Sequence, residues 1–97
     1  MQMEITLGKN NDEARVVHCK KESYDVYIGR PSKWGNPFVV GRDGNREEVI
    51  VQYEKWILTQ THLLNALHEL KGKVLGCWCS PKACHGDVLV RLIKENT

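Results

Sequence analysis

Apolar residues fall into short clusters whose spacing changes along the chain. Residues 15–19 (RVVHC) and 24–28 (YDVYI) are brief runs rich in β-branched and aromatic side chains, which predicts two short strands. Gly29 and Pro31 end the second, and 29–44 reads as loop from its Gly, Pro and Asn content. From Asn45 the period becomes helical. Val49, Ile50, Tyr53, Trp56 and Ile57 share one face, Asn45 suits the N-cap, and Glu47 and Glu48 lie in the first turn. This helix is expected to reach position 59. A second is expected from 61, with Leu63, Leu64, Leu67 and Leu70 on its buried side and Gly72 closing it. Residues 74–79 (VLGCWC) are apolar throughout, like a strand covered on both faces, and Pro81 ends them. The last helix is expected from 86, carrying Val88, Leu89, Leu92 and Ile93.

Two strands, two helices, a buried strand and a helix predict a small single α/β domain. Its sheet is short and mostly parallel, flanked by about three helices, with a right-handed βαβ crossover from the Tyr24 strand to the Val74 strand. Residues 1–14 form an N-terminal segment in which Ile5–Leu7 is apolar and GKNNDE reads as a turn. An antiparallel edge strand from this segment gives the competing α+β arrangement.

Composition narrows the class. A chain of 97 residues with 41% apolar and 27% charged content holds one core and is not disordered. No apolar run approaches the roughly 20 residues of a membrane span. A net charge of +2 is too small to diagnose nucleic-acid binding. The start, MQMEITLGKNND, carries no export signal, and three of the four cysteines crowd between 77 and 84. Thiols or metal ligands in a reducing, cytoplasmic setting are therefore expected rather than disulfides.

Chemistry concentrates in two loops, 29–38 (GRPSKWGNPF) and 77–87 (CWCSPKACHGD), each at a strand end. If those strands are parallel, both loops leave the same sheet edge, where open α/β sheets bind ligands. Arg30 and Lys33 offer donors to an anion, and Trp34 offers a stacking face. Ser32 adds a hydroxyl, Gly35 permits close backbone approach, and the Asn36 amide reads a polar edge or braces the turn. Arg30, Lys33, Arg42 and Arg46 against Asp43 alone give +3 between 29 and 46, more than the whole chain carries.

The second loop has two readings. Alternation along a strand puts Cys77 and Cys79 on one side and Trp78 on the opposite layer. With Cys84 and His85 these form a Cys3His set that would suit a structural zinc, though their spacing is tighter than in usual knuckles. Alternatively, Cys84 at a helix start is a low-pKa nucleophile and His85 an acid–base group. Gly86 then opens the backbone to an anion, and Asp87 caps the helix or orients His85. Buried, inert cysteines are the plain alternative for Cys77 and Cys79.

Several stretches together resemble a known family. They are 27–38 (YIGRPSKWGNPF), Arg46, Glu47 and Glu48 with Tyr53 and Trp56, 70–79 (LKGKVLGCWC) and 84–89 (CHGDVL). The pattern resembles DUF4326, a family of bacterial and phage proteins, and assigns 15–97 to a domain of that type. The strand–Cys–loop–Cys-His–helix ending is also similar to DUF488, which typically has Arg where this chain has Gly86. Neither resemblance implies an established activity.

The leading expectation is a small cytoplasmic domain that binds a phosphorylated, nucleotide-like ligand between the two loops. Arg30, Ser32, Lys33, Trp34, Gly35, Asn36, Cys79, Gly86 and Asp87 would be its contacts, with Cys84 and His85 as the catalytic pair of any reaction. It needs no cofactor. One alternative is a zinc-stabilised module, held by Cys77, Cys79, Cys84 and His85, that binds nucleic acid or a host protein. Another is a non-catalytic inhibitor or ligand-sequestering protein of the phage type. No membrane partner is expected.

Overall fold

The computed structural model describes residues 14–80 and 82–95. The expected Ile5–Leu7 strand, the GKNNDE turn and Pro81 lie outside these residues. Three strands form one sheet in the order β1–β3–β2: β1 is Arg15–His18, β2 is Val26–Tyr27 and β3 is Val74–Cys77. Both outer strands run parallel to β3, with Val16 opposite Leu75 on one side and Val26 opposite Leu75 on the other. The chain is thus a small α/β domain, and its described sheet is wholly parallel.

β2 is shorter than the pattern of 24–28 suggests because its flanks are used otherwise. Asp25 clamps the start of β3: its N–H donates to the Val74 carbonyl and its carboxylate accepts from the Val74 N–H, both at 2.8 Å. The Tyr24 ring lies on the face of β3 instead of extending the strand. A Cβ at Gly76 would fall 2.6 Å from the Tyr24 ring. Residues 19–25 therefore cross β3 directly, a far shorter link than the dozen or more residues parallel strands usually need. Gly76 is the position that lets them do so.

Helix α1, Arg46–Ile57, begins in a reciprocal cap. Asn45 Oδ1 accepts from the Glu48 N–H and Glu48 Oε1 accepts from the Asn45 N–H, each at 2.8 Å. Val49, Tyr53 and Ile57 are its buried stripe, and Ile50 and Trp56 are half-buried beside it. The single second helix expected from Thr61 is instead two pieces, α2 (Thr61–Asn65) and a 3-10 turn, Leu67–Leu70. The Asn65 carbonyl explains the break. In a continuous helix it would accept from the Glu69 N–H, but it accepts from His68 Nδ1 at 3.0 Å, and Glu69 turns to the Ala66 carbonyl. Leu63, Leu67 and Leu70 still reach the core. Gly72, at φ +73°, reverses the chain into β3.

Helix α3, His85–Glu95, buries Val88, Leu89, Leu92 and Ile93. It packs tightly at Gly86, where a Cβ would fall 2.8 Å from Val16 of β1 and 2.9 Å from Ile28. Ile28, Tyr53, Ile57, Leu63, Leu70, Leu75 and Leu89 are fully buried between helices and sheet. No helix among the described residues is long and apolar enough to cross a membrane.

Gly76→Ala is expected to cost roughly 1–3 kcal/mol, because the new methyl meets the base of the Tyr24 ring. Urea denaturation checks this, and Tyr24→Ala in the same background should recover part of the loss.

Candidate functional site

Parallel pairing brings Tyr27 beside Gly76, so the loops after β2 and β3 open at one sheet edge. A cleft of about 420 Å³ lies between them. Arg30, Asn36 and Phe38 line it from the first loop, and Cys77, Trp78, Cys79, Cys84 and His85 from the second. Helix α1 supplies Arg46, Val49 and Ile50. Residues fifty positions apart thus share one wall, as the parallel arrangement requires.

Hydrogen bonds tie the walls together. The Trp78 Nε1–H donates to Tyr27 Oη at 2.9 Å, and Tyr27 Oη donates to the Arg30 carbonyl at 3.2 Å. Arg46 Nη1 donates to the Ala83 carbonyl at 3.3 Å, joining the start of α1 to the second loop. Beneath them the Tyr53 hydroxyl donates to the Trp34 carbonyl at 2.7 Å, and the Tyr53 ring meets His85 edge-on at 5.0 Å. Tyr53 is fully buried, and burial pushes its hydroxyl pKa well above the ordinary tyrosine value.

Several side chains expected at the cleft do other work. Trp34 is 2% exposed and belongs to the core, so it offers no stacking face. Lys33 lies over the Trp34 ring and pairs with Glu69 at 3.0 Å, away from the cleft. Ser32 Oγ accepts from the Trp34 N–H, and Gly35 is backed against Arg30, where a Cβ would fall 3.0 Å from its Cα. Asn36 does line the cleft, but its amide is spent on bracing: Nδ2 donates to the Val49 carbonyl and Oδ1 accepts from the Phe38 N–H. Gly86 faces the sheet. Asp87 caps α3 by accepting from the Cys84 N–H at 3.0 Å, and lines a separate shallow groove with Ser80 and Lys82.

Other residues replace them. Trp78, expected on the opposite layer, follows the last residue of β3 and swings out to 55% exposure. It, Phe38 and Tyr27 are aromatics at the cleft. Arg46 joins Arg30 there, and no carboxylate is among the lining residues. A cation in the first turn opposes the helix dipole. That misplaced charge, next to the capping Asn45, is the sequence signal by which Arg46 was detectable.

Cys77 and Cys84 meet at the cleft floor, their sulfurs 3.2 Å apart and each residue nearly inaccessible. Cys84 was expected to hold the lowered thiol. The sulfur–sulfur contact with Cys84, and then the backbone N–H groups of Cys79 and Ser80, outweigh burial and pull the Cys77 pKa down. The contact with Cys77 and burial push Cys84 up, although the Gly86 N–H at 3.2 Å partly opposes the shift.

His85 is held neutral. Its Nε2 lies 2.7 Å from the Ile28 carbonyl, an acceptor only, so Nε2 carries the proton and Nδ1 the lone pair. Burial is the main cause lowering its pKa. This bond commits Nε2 to the backbone. Among the described residues no group of three or more His, Cys, Asp or Glu side chains is arranged to hold a metal ion. The Cys3His set is therefore not assembled as a zinc sphere here.

Two consequences are measurable. Tyr53→Phe strips the buried Trp34 carbonyl of its donor and is expected to cost roughly 1–3 kcal/mol in urea denaturation. Since the fold lowers the His85 pKa, the unfolded chain binds the proton first. Stability should be full above about pH 6.5 and fall as pH drops below it. His85→Gln, which keeps a donor for the Ile28 carbonyl and does not titrate, should flatten that part of the pH curve.

The model of a family described as "Domain of unknown function (DUF4326)" matches residues 13–95. "Uncharacterized protein R718" of Acanthamoeba polyphaga mimivirus is 36% identical over an alignment of 104 positions, gaps included, that takes in 89% of this chain and 75% of that protein. The "Uncharacterized 12.4 kDa protein in nrdA-td intergenic region" of Enterobacteria phage T4 is 39% identical over 90 residues, covering 84% of this chain and 78% of its own. No solved structure matches. The family match takes in both loops, all three strands and the helices between them, and the chain belongs to the DUF4326 family.

Proposed function

We propose that the chain binds a small phosphorylated, nucleotide-like ligand in the cleft between its two loops. The observation that carries this reading is the lining itself: two guanidinium groups, Arg30 and Arg46, with no carboxylate among the described residues that line the cleft. A phosphate entering there meets planar donors suited to bidentate contact. Phe38 and the exposed Trp78 give a base a surface to stack on, and Val39, Val49 and Ile50 give it an apolar wall. The volume of about 420 Å³ falls within the range of small-molecule sites. Arg30 and Arg46 take over the anion-binding part expected of Arg30 with Lys33, and Trp78 the stacking part expected of Trp34.

Titration calorimetry with a panel of nucleoside mono- and diphosphates, and inorganic phosphate as control, tests the reading. At least one nucleotide should bind, more weakly as salt rises. Arg30→Ala and Arg46→Ala should each weaken it by about tenfold or more, as loss of a charge-assisted hydrogen bond implies. Trp78→Ala should weaken it about fivefold or more through lost stacking. Lys33→Ala, whose ammonium is engaged by Glu69, should bind like the parent. A panel with no binder, or arginine variants that bind as well as the parent, overturns the proposal.

A further inference from the structure

The geometry points to a second chemistry in the same floor: Cys77 and Cys84 form a redox-active dithiol that closes to a disulfide on reaction with a small hydroperoxide. The inference does not depend on nucleotide binding. It rests on placement. The two sulfurs come from the end of β3 and the residue before α3, and stand 3.2 Å apart. A disulfide needs about 2.05 Å, so closure asks each sulfur for well under an ångström of movement. Both elements are anchored independently, β3 between its two neighbours and Cys84 by the Asp87 cap and the Gly86 N–H. The sulfurs are held together by the fold and not by chance rotamers.

Burial selects the oxidant. Cys77 is 1% and Cys84 3% exposed, yet both line the cleft. A hydroperoxide presents only two oxygens to these recessed sulfurs, and the cleft of about 420 Å³ leaves room for a small dithiol to reach them afterwards. The Cys77 thiolate attacks one oxygen, and the O–O bond breaks. Cys77 becomes a sulfenic acid, and the other oxygen leaves as hydroxide or alkoxide and takes a proton from water. Cys84 sulfur then attacks Cys77 sulfur, the S–O bond breaks, and the departing hydroxide leaves as water with the Cys84 proton. The two sulfurs give up two electrons in total, and these reduce the peroxide. An external dithiol returns them and is itself oxidised to a disulfide.

Cys19 and Cys79 are internal controls, because both are free and more exposed than the pair. The full chain, reduced and freed of reductant, is treated with one equivalent of hydrogen peroxide, alkylated, and mapped by mass spectrometry without reduction. The expected product is a Cys77–Cys84 crosslinked peptide, formed at least about tenfold faster than oxidation of Cys19, against the order that exposure alone would give. Dithiothreitol should restore both thiols. In Cys84→Ser, dimedone should trap a sulfenic acid on Cys77. Where that variant fails to fold, the crosslink and the relative rates in the unmodified chain decide alone. First oxidation at Cys19 or Cys79, a crosslink to either of them, or a pair left reduced overturns the inference. So does stoichiometric zinc in the purified protein that shields both sulfurs.

Discussion

Everything at the cleft depends on β3 lying between two parallel neighbours. Because β2 and β3 run the same way, the loops after them emerge together, and because β1 is parallel too, His18 arrives at the same edge. There it meets the Trp78 ring edge-on at 5.8 Å. A ladder of only a few backbone bonds fixes this arrangement. It is reinforced where the strands end: Asp25 at the start of β3, the Cys19 N–H on the Cys77 carbonyl, and the Ile28 N–H on the Gly76 carbonyl. The sheet is small, so these terminal bonds form a large share of its pairing.

Polar side chains in the interior donate to backbone carbonyls. Tyr53 serves the Trp34 carbonyl, His85 the Ile28 carbonyl and Asn36 the Val49 carbonyl. No buried side-chain nitrogen or oxygen among the described residues lacks a partner. These bonds hold the irregular first loop against α1 and α3, where regular secondary structure is absent. They also explain why the loop keeps a defined wall despite its Gly and Pro content.

The order of elements was legible because periodicity reports which face is buried. The Asn45 cap, the Val49–Tyr53–Ile57 stripe and the apolar run at Val74 gave α1 and β3 with small errors at their ends. The two loops were legible as a joint site because parallel topology follows from that order. Which side chains face the cleft was not. Trp34 was read as a loop aromatic and Trp78 as part of a strand, and only packing decides that the first is buried and the second exposed. Lys33 and Arg46 differ in the same way: Glu69, from a distant turn, draws the lysine aside. The two thiols were legible as a cluster, but the direction in which each pKa moves depends on their mutual contact and then on burial and nearby backbone N–H groups, which spacing alone does not encode.

The strand order has a consequence for how the molecule comes into being. β1 and β2 are made first but do not touch in the sheet, since the central place belongs to β3, the last strand of the chain. Among the described residues, a chain stopped before Val74 has two strands and no ladder. Pairing of these strands therefore waits for the C-terminal quarter of the polypeptide, so the contacts that set the two loops side by side are long-range ones.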